Sequence, residues 1–200
     1  MDILDSDILQ LQFDQPAPKV GDILIAEPLM ENGIFGRSTI VLVEHGDHLG
    51  SMGFITNMRT DYTLNELVED IEREEEIPVY MGGPVHTNRL FYIHTIGHLI
   101  PQSEEVCKGL YVGGDFNAMI EYVNSEAPIQ GKVRFLLGYS GWSKGQLLDE
   151  LKNYDWAVSE MHDAQIIITL EGDEAWRAAV NTLDSRYRMW LNCPSSVFFN

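Results

Sequence analysis

The segment from Val133 to Trp156 constrains the fold of this chain more than any other, and it reads VRFLLGYSGWSKGQLLDELKNYDW. Its run Phe135–Leu137 is apolar on both faces of an extended chain, which is typical of a strand covered from both sides. Gly138 and Gly141 then predict a turn, because glycine adopts backbone angles that other residues avoid. The first half of the segment therefore predicts a buried strand that ends in a turn.

The second half of this segment predicts a helix. Ser143 is a favourable N-cap and Gln146 stands three positions later, the spacing of a capping box. Trp142, before the cap, can pack on Leu147 as a hydrophobic staple, and the leucines that follow recur at helical spacing. The sequence therefore predicts a helix that begins directly after Ser143.

Elsewhere the chain alternates short apolar runs with helical patterns. The predicted strands cover residues 22–26, 39–45, 52–57, 78–81, 90–95, 110–112 and 165–169, and further helices begin at Thr63, Asp115 and about Asp173. Hairpins at residues 46–50 and after Gly82–Gly83 predict two antiparallel pairs. Hairpins mixed with helices predict an α+β fold with a mixed sheet.

Length and composition favour one folded unit. The chain has 200 residues, 44% of them hydrophobic, which is enough for one substantial core. We expect an N-terminal arm over residues 1–20 and a single domain over 21–200. No run is long and apolar enough to span a bilayer and the first residues carry no export signal, so we expect a cytoplasmic protein without membrane contact. The two cysteines have neither metal-ligand nor disulfide-framework spacing.

The charge of the chain limits its partners. Thirteen Lys and Arg residues face 31 Asp and Glu residues, which gives a formal net charge of −18. Affinity for nucleic acid comes largely from basic side chains that neutralise phosphates, so direct nucleic-acid binding is disfavoured. The densest acidic segment, residues 61–76, is predicted to lie on a surface helix, where it aids solubility or faces a basic partner.

One catalytic pattern is incomplete. Gly138-Tyr139-Ser140-Gly141-Trp142 lies between a strand and a helix, where a hydrolase places its G-x-S-x-G nucleophile, but Trp142 replaces the last glycine. The other interpretation is that Ser140 satisfies amides of a turn.

A second group of polar residues lies near strand ends. Glu44 and His45 end one predicted strand, Asn57 ends its predicted partner, and His94 lies on another strand. Adjacent strand residues point to opposite faces, so Glu44 and His45 share a site only if a bulge intervenes. No metal-binding pattern accompanies these residues, so we expect no metal and no cofactor.

Arg37 and the paired glycines Gly82 and Gly83 have two interpretations. Their positive charge and free amides suit an anion site. Tight turns and an arginine paired with one of the many carboxylates are the other interpretation, and it is the one we favour.

At these motifs the sequence resembles the YqgE/AlgH family, an uncharacterised bacterial family labelled as transcriptional regulators. The resemblance runs from about residue 21 to 183 and rests on GDILIAEPLM, FGRSTIVLVEH, GSMGFITN, YMGGPV, FYIH and LGYSGWSKGQLLDE. It implies an α+β fold in which a largely antiparallel sheet curls into a small closed barrel flanked by helices. Val43 stands where many members carry cysteine, which argues against thiol chemistry, and Gly33 stands where many carry proline.

These observations lead to three hypotheses. The first is a ligand- or protein-binding regulatory protein, and its candidate cluster is Arg37, Glu44, His45, Asn57, Gly82, Gly83, His94, Tyr139, Ser140 and Trp142. The second is a small hydrolase or transferase that uses His45 or His94 as a base with Glu44 or Ser140. The third is a transcriptional regulator that acts without strong direct DNA contact.

Overall fold

A computed structural model describes residues 15–30, 33–46, 49–160 and 163–194. Most of the predicted N-terminal arm, residues 1–14, lies outside the described residues. The strands are β1 (Ile23–Ala26), β2 (Thr39–Gly46), β3 (Gly50–Ile55), β4 (Arg59–Thr63), β5 (Pro78–Met81), β6 (Val85–His94), β7 (Glu104–Cys107), β8 (Leu110–Val112), β9 (Val133–Trp142) and β10 (Trp156–Ser159). The helices are α1 (Leu64–Leu67), α2 (Phe116–Asn124), α3 (Gln146–Lys152), α4 (Ala164–Thr169) and α5 (Gly172–Val180), followed by a 3₁₀ helix at Ser185–Asn192.

The strands form one mixed and largely antiparallel sheet, which confirms the predicted fold class. Its order is β10-β1-β2-β3-β9-β6-β8-β7, with β5 on β9 and β4 on β5. Among the described strands only β5 and β9 pair in parallel. The order is open, with β10 at one end and β7 at the other, so this sheet is not closed into a barrel.

Strand β9 lies at the centre because three other strands pair with it. It binds β6 and β5 through its first half and β3 through its last residues. The strand does not end at the predicted turn: Gly138 has a positive φ of 67° yet stays inside β9. A Cβ at Gly138 would lie 2.5 Å from the carbonyl oxygen of Gly83, so this glycine serves a close crossing of two backbones.

Helices cover the sheet over three apolar clusters. Helices α4 and α5 pack through Ile167 and Trp176 on β1, β2 and β3, while α3 packs through Leu147 and Leu151 on the other side of the same strands. Helices α1 and α2 cover β5, β6 and β9 through Leu64 and Met119. Within the described ranges, no helix is long and apolar enough to cross a membrane.

The predicted helix through the acidic segment is wrong beyond its first turn. The capping contact forms, since Glu66 accepts the backbone N–H of Thr63 at 2.8 Å, but α1 ends at Leu67. The Asn65 side chain instead binds the carbonyl of Arg73 and the N–H of Ile77, which folds the segment back on itself. Like charges four residues apart also disfavour a helix here.

One prediction in the C-terminal third is also wrong, and one strand there was not predicted. The apolar run at 165–169 is helix α4, because Asp163 caps the amides of Gln165 and Ile166. The strand of this region lies earlier, as β10, and pairs with β1. A short apolar run fits a buried helix as well as a strand, and its local caps decide.

Two local connections also differ from expectation. Strands β5 and β6 do not pair, because β9 lies between them and binds both. Helix α3 begins after Gly145, whose φ is 80°, rather than after Ser143. Gln146 nevertheless accepts the Ser143 backbone N–H at 3.0 Å, so half of the predicted capping box is present.

Candidate functional site

A groove opens where the β2–β3 hairpin meets β9 and the start of β6. Its volume is about 680 Å³, within the range of small-molecule sites. Four predicted site residues line it: Glu44, His45, Tyr139 and Trp142. The remaining lining residues are Val20, Val43, Gly46, Leu49, Gly50, Ser51, Met52, Val85 and Gly141.

A β-bulge precedes Glu44 and His45 in strand β2. Leu42 pairs with Gly53 and Glu44 pairs with Met52, so Val43 is the extra residue between them. Beyond the bulge the pairing is regular, with Glu44 opposite Met52 and His45 opposite Ser51, so the alternation of faces between Glu44 and His45 is kept. The bulge expected from the sequence is therefore one residue too early to place both side chains on one face, although atoms of both residues line the groove.

One ring nitrogen of His45 forms a hydrogen bond to a neighbouring strand. Its Nδ1 lies 2.8 Å from Oγ of Ser51, its cross-strand neighbour. No partner for Nε2 occurs within the described part of the chain. Ser51 was not predicted, although pairing across the hairpin at residues 46–50 would have placed it opposite His45.

Tyr139 forms the aromatic wall of the groove. Its ring lies 5.8 Å from that of His86 and meets Phe91 edge-on at 6.0 Å, measured between ring centroids. At the hairpin tip, the side chain of Leu49 is 96% exposed. The groove therefore combines apolar walls with a few polar atoms, the usual character of a recognition site.

Arg37 lies away from the groove and is buried. Its guanidinium binds the Asp173 carboxylate at the start of α5, donates to the carbonyl of Cys193 at 2.5 Å and stacks 4.5 Å from the Trp176 ring centroid. Hydrogen bonds from Arg177 and then Arg37 hold the pKa of Asp173 below its usual range, against the effect of burial. These contacts fasten α5 and the C-terminal segment to the sheet, so Arg37 is not available to an anion.

Asn57 is a buried structural link, 2% exposed. Its Oδ1 accepts the backbone N–H of Thr39 at 2.9 Å, and its Nδ2 donates to the carbonyls of Arg37 and Gly172, each at 2.9 Å. Both donors and the acceptor are therefore used by the backbone. The structure does not bring Asn57 to the groove.

His94 is fully buried at the other end of the sheet. Its Nε2 donates to the carbonyl of Gly113 at 3.0 Å and its ring stacks on Tyr111 at 5.7 Å. Burial lowers the pKa of His94. A fully enclosed imidazole cannot act as a base on a molecule in solution.

The backbone at Gly82–Gly83 crosses close over β9 beside Ser140. The Ser140 hydroxyl is 1% exposed and donates to the carbonyl of Gly82 at 3.2 Å. A Cβ at Gly83 would lie 2.2 Å from the carbonyl carbon of Tyr139. The glycines are needed for close packing, and Ser140 is not positioned as a nucleophile.

Trp142 lies in the wall between the groove and the interior. Its Nε1 donates to Oε2 of Glu150 at 2.7 Å, and Trp156 donates to the same oxygen at 2.8 Å. The sequence did not indicate that Glu150 accepts hydrogen bonds from two indoles. Trp142 lies eight residues before it and Trp156 six residues after it, and these spacings match no local motif.

Metal and thiol chemistry find little support in the described residues. No cluster of three or more His, Cys, Asp and Glu side chains there has the geometry to hold a metal ion. Burial raises the pKa of Cys107 to about 11 and also raises that of Cys193. Both thiols are free.

Comparison with known proteins gives the family of this chain. A family model described as DUF179, AlgH-like, matches residues 23–188. The chain is 41% identical over 194 residues to a UPF0301 protein of Parabacteroides distasonis, covering 96% of this chain and 97% of the relative. It is 38% identical over 199 residues to a UPF0301 protein of Bacteroides thetaiotaomicron, covering 98% and 99% respectively.

Solved structures agree with this assignment. The solution structure of the AlgH protein from Pseudomonas aeruginosa matches with a TM-score of 0.67 and 26% identity, over 92% of this chain and 100% of that one. A crystal structure of a Corynebacterium diphtheriae protein matches with a TM-score of 0.71 over 89% and 94%, and at 20% identity it shows the fold alone. This chain therefore belongs to the AlgH-like family.

Proposed function

We propose that this protein is a cytoplasmic binding protein of regulatory type, and that its groove takes up a small ligand. The observation that carries this proposal is the convergence of His45, Tyr139 and Trp142 on one groove, while the other polar candidates are consumed by the backbone. Recognition needs such a surface, and it does not need a complete catalytic set.

The lining defines the ligand's chemistry. Val43, Met52 and Val85 suit an aromatic or branched aliphatic body, and Nε2 of His45 suits one hydrogen-bonding group. Glu44 contributes a carboxylate to the rim of a chain that already carries a net charge of −18. A neutral or positively charged ligand is therefore favoured over an anion.

The test is an NMR titration of the ¹⁵N-labelled protein with benzyl alcohol, benzylamine and benzoate. These probes share one ring and differ in charge. We expect benzyl alcohol and benzylamine to shift backbone amides of β2, β3 and β9 around the groove, and benzoate to shift them least. His45→Ala and Tyr139→Leu should each weaken the response at least about threefold, the loss of roughly one hydrogen bond or one aromatic contact.

His98→Ala is the matched control, because His98 is exposed and lies outside the groove. It should leave the titration unchanged. Shifts that map elsewhere, or a response that survives both groove variants, would refute the proposal.

A second candidate function is weak hydrolysis by Ser51 and His45. The observation that favours it is their 2.8 Å contact in an open groove, since a nucleophile needs a base within hydrogen-bond reach. The predicted partners Ser140 and His94 are enclosed, and no acid orients the Nε2 side of His45 within the described residues. Labelling of Ser51 by a fluorophosphonate that Ser51→Ala abolishes would support it, and an unlabelled native protein would reject it.

The transcriptional hypothesis stays a prediction. It is favoured only in the form that needs no strong DNA contact, because the net charge repels phosphate. A gel-shift titration of duplex DNA at low salt is expected to show no binding, and salt-sensitive binding would overturn that expectation.

A further inference from the structure

A second pocket lies on the inner side of Trp142, separate from the groove. Its volume is about 280 Å³, and it lies between the segment after β1, strands β9 and β10, and helix α3. Three aromatic rings line it: Phe35, Trp142 and Trp156. Two carboxylates, Glu150 and Asp155, share its wall. None of these pocket contacts depends on the proposed ligand of the groove.

The three rings enclose a corner. Phe35 meets Trp156 at 81° with centroids 5.6 Å apart, and Trp142 meets Trp156 at 82° with centroids 6.1 Å apart. In each edge-to-face pair the edge of one ring covers part of the other ring's face, and the remaining ring surface lines the pocket. Aromatic faces carry negative potential and attract cations, and tryptophan is the strongest of them.

Glu150 fixes the two tryptophan rings in place. One of its oxygens accepts both indole N–H groups, at 2.7 and 2.8 Å, and the other accepts the Gln146 amide at 2.9 Å. Hydrogen bonds to a carboxylate are stronger than neutral ones. The two tryptophan side chains are therefore preorganised, and binding of a small molecule requires little further ordering of them.

Among the described residues, the carboxylates around this pocket have no cationic partner. Neither Glu150 nor Asp155 forms a salt bridge within the described part of the chain. Burial raises the pKa of Asp155, and the charge of Glu150 raises it further. Glu27, just outside, also has a raised pKa, through burial first and then through the charge of Asp155. A cation placed among these three groups would relieve their mutual repulsion.

We propose that this pocket binds a small organic ammonium ion, of the methylated or quaternary kind, between the rings of Phe35, Trp142 and Trp156 and the carboxylates of Glu150 and Asp155. The volume of about 280 Å³ holds a trimethylammonium head together with a short chain attached to it. A methylated ammonium has apolar faces that fit aromatic walls and a charge that fits carboxylates. A divalent metal ion is the poorer guest, because most of the lining offers no oxygen ligands.

The test compares choline with its neutral isostere, 3,3-dimethyl-1-butanol, by NMR of the indole N–H groups. We expect choline to shift the Trp142 and Trp156 signals in a saturable manner and to leave those of Trp176 and Trp190 in place. The neutral alcohol should bind at least about fivefold more weakly, the loss of one cation–π attraction. Tetramethylammonium should compete with choline, and sodium chloride of equal ionic strength should not.

Matched variants identify the charge that matters. Asp155→Asn keeps the shape and removes one charge, and it should weaken choline binding at least about fivefold. Asp149→Asn removes the same charge one residue away from Glu150, at an exposed carboxylate paired with Lys152, and should change affinity by less than twofold. Phe35→Leu should also weaken binding, while His45→Ala in the groove should not.

Several results would overturn the proposal. It fails if choline moves no indole signal, if the neutral alcohol binds equally well, or if Asp149→Asn is as damaging as Asp155→Asn. Since His45→Ala separates the two sites, loss of choline binding leaves the groove proposal standing, and the reverse also holds.

Discussion

Replacing Asn57 by alanine tests whether this residue is a part of the scaffold or of a binding site. The amide joins three backbone groups on β2, the preceding loop and the first residue of α5. Alanine leaves the N–H of Thr39 and the carbonyls of Arg37 and Gly172 without these partners in a buried place. We therefore expect a large loss of stability and no direct effect on ligand capture.

The size of this loss follows from the three lost bonds. Each ordinary hydrogen bond contributes about 1 kcal/mol, and a buried group left unpaired costs about as much or more. The variant should thus lose about 3 kcal/mol of unfolding free energy, a large part of the roughly 5–15 kcal/mol typical of a domain. The backbone bond from the Gly172 N–H to the Asn57 carbonyl, 2.7 Å long, is retained and limits the loss.

Urea unfolding monitored by tryptophan fluorescence measures the effect. With a denaturant slope of about 3 kcal/mol/M, the midpoint should fall by about 1 M. Asn88→Ala is the matched control: Asn88 is an exposed asparagine on β6, and its loss should change stability by less than about 0.5 kcal/mol. A midpoint shift below about 0.3 M for Asn57→Ala would refute the structural role assigned here.

Three further predictions follow from buried groups. Gly83→Ala places a Cβ 2.2 Å from the Tyr139 backbone, so we expect the unfolding free energy to fall by about 3 kcal/mol or more. Thermal unfolding monitored by circular dichroism measures this loss, and an unfolding curve like that of the native protein would contradict the close crossing. Burial lowers the pKa of His94, so unfolding takes up a proton and stability should fall by up to about 1.4 kcal/mol per pH unit below about pH 6.5. Unfolding free energies from urea titrations should depend less on pH across that range for His94→Asn than for the native protein. An equal dependence on pH would exclude His94 as the cause. Cys107, with a pKa of about 11, should react with iodoacetamide at pH 8 roughly a hundredfold more slowly than a free thiol, and peptide mass mapping showing fast labelling would contradict its burial.

The sequence predicted those parts of the fold that depend on neighbouring residues. Strand β2, the hairpin into β3 and the Asp115 cap of α2 all depend on residues within a few positions of one another, and all are present. Mixed hairpins and helices gave the correct fold class for the same reason.

The errors have a common physical cause, which is competition from distant contacts. Helix α1 stops early because the Asn65 side chain binds backbone groups 8 and 12 residues further on. Strand β9 passes its predicted turn because β3 and β6 continue to pair with it through Tyr139 and Trp142. The local sequence around these glycines does not indicate that β3 and β6 will pair with it.

Distant contacts also decided which of the predicted site residues are accessible. The sequence found polar residues near strand ends, but their accessibility depends on whether distant backbone groups use up their hydrogen-bonding capacity. Asn57 has its acceptor and both donors engaged, and one of those partners, Gly172, is 115 residues away. Ser140 is likewise used by Gly82, 58 residues away. His45 is bound only by Ser51, six residues away across the hairpin, and keeps one ring nitrogen unpaired within the described chain.

This difference separates the residues of the groove from those of the rigid crossing. Gly83 crosses close over β9 at Tyr139. Tyr139 and Trp142, on the same strand, line the groove beside this crossing. The bulge at Val43 shifts the register of β2 before Glu44 and His45, and the pairing with β3 is regular on either side of it. A change in groove chemistry therefore alters side chains that carry few structural contacts, whereas a change at Asn57 or Gly83 alters the frame itself. Ligand preference in this fold is consequently expected to vary through residues of the β2–β3 hairpin, because substitutions there cost the least stability.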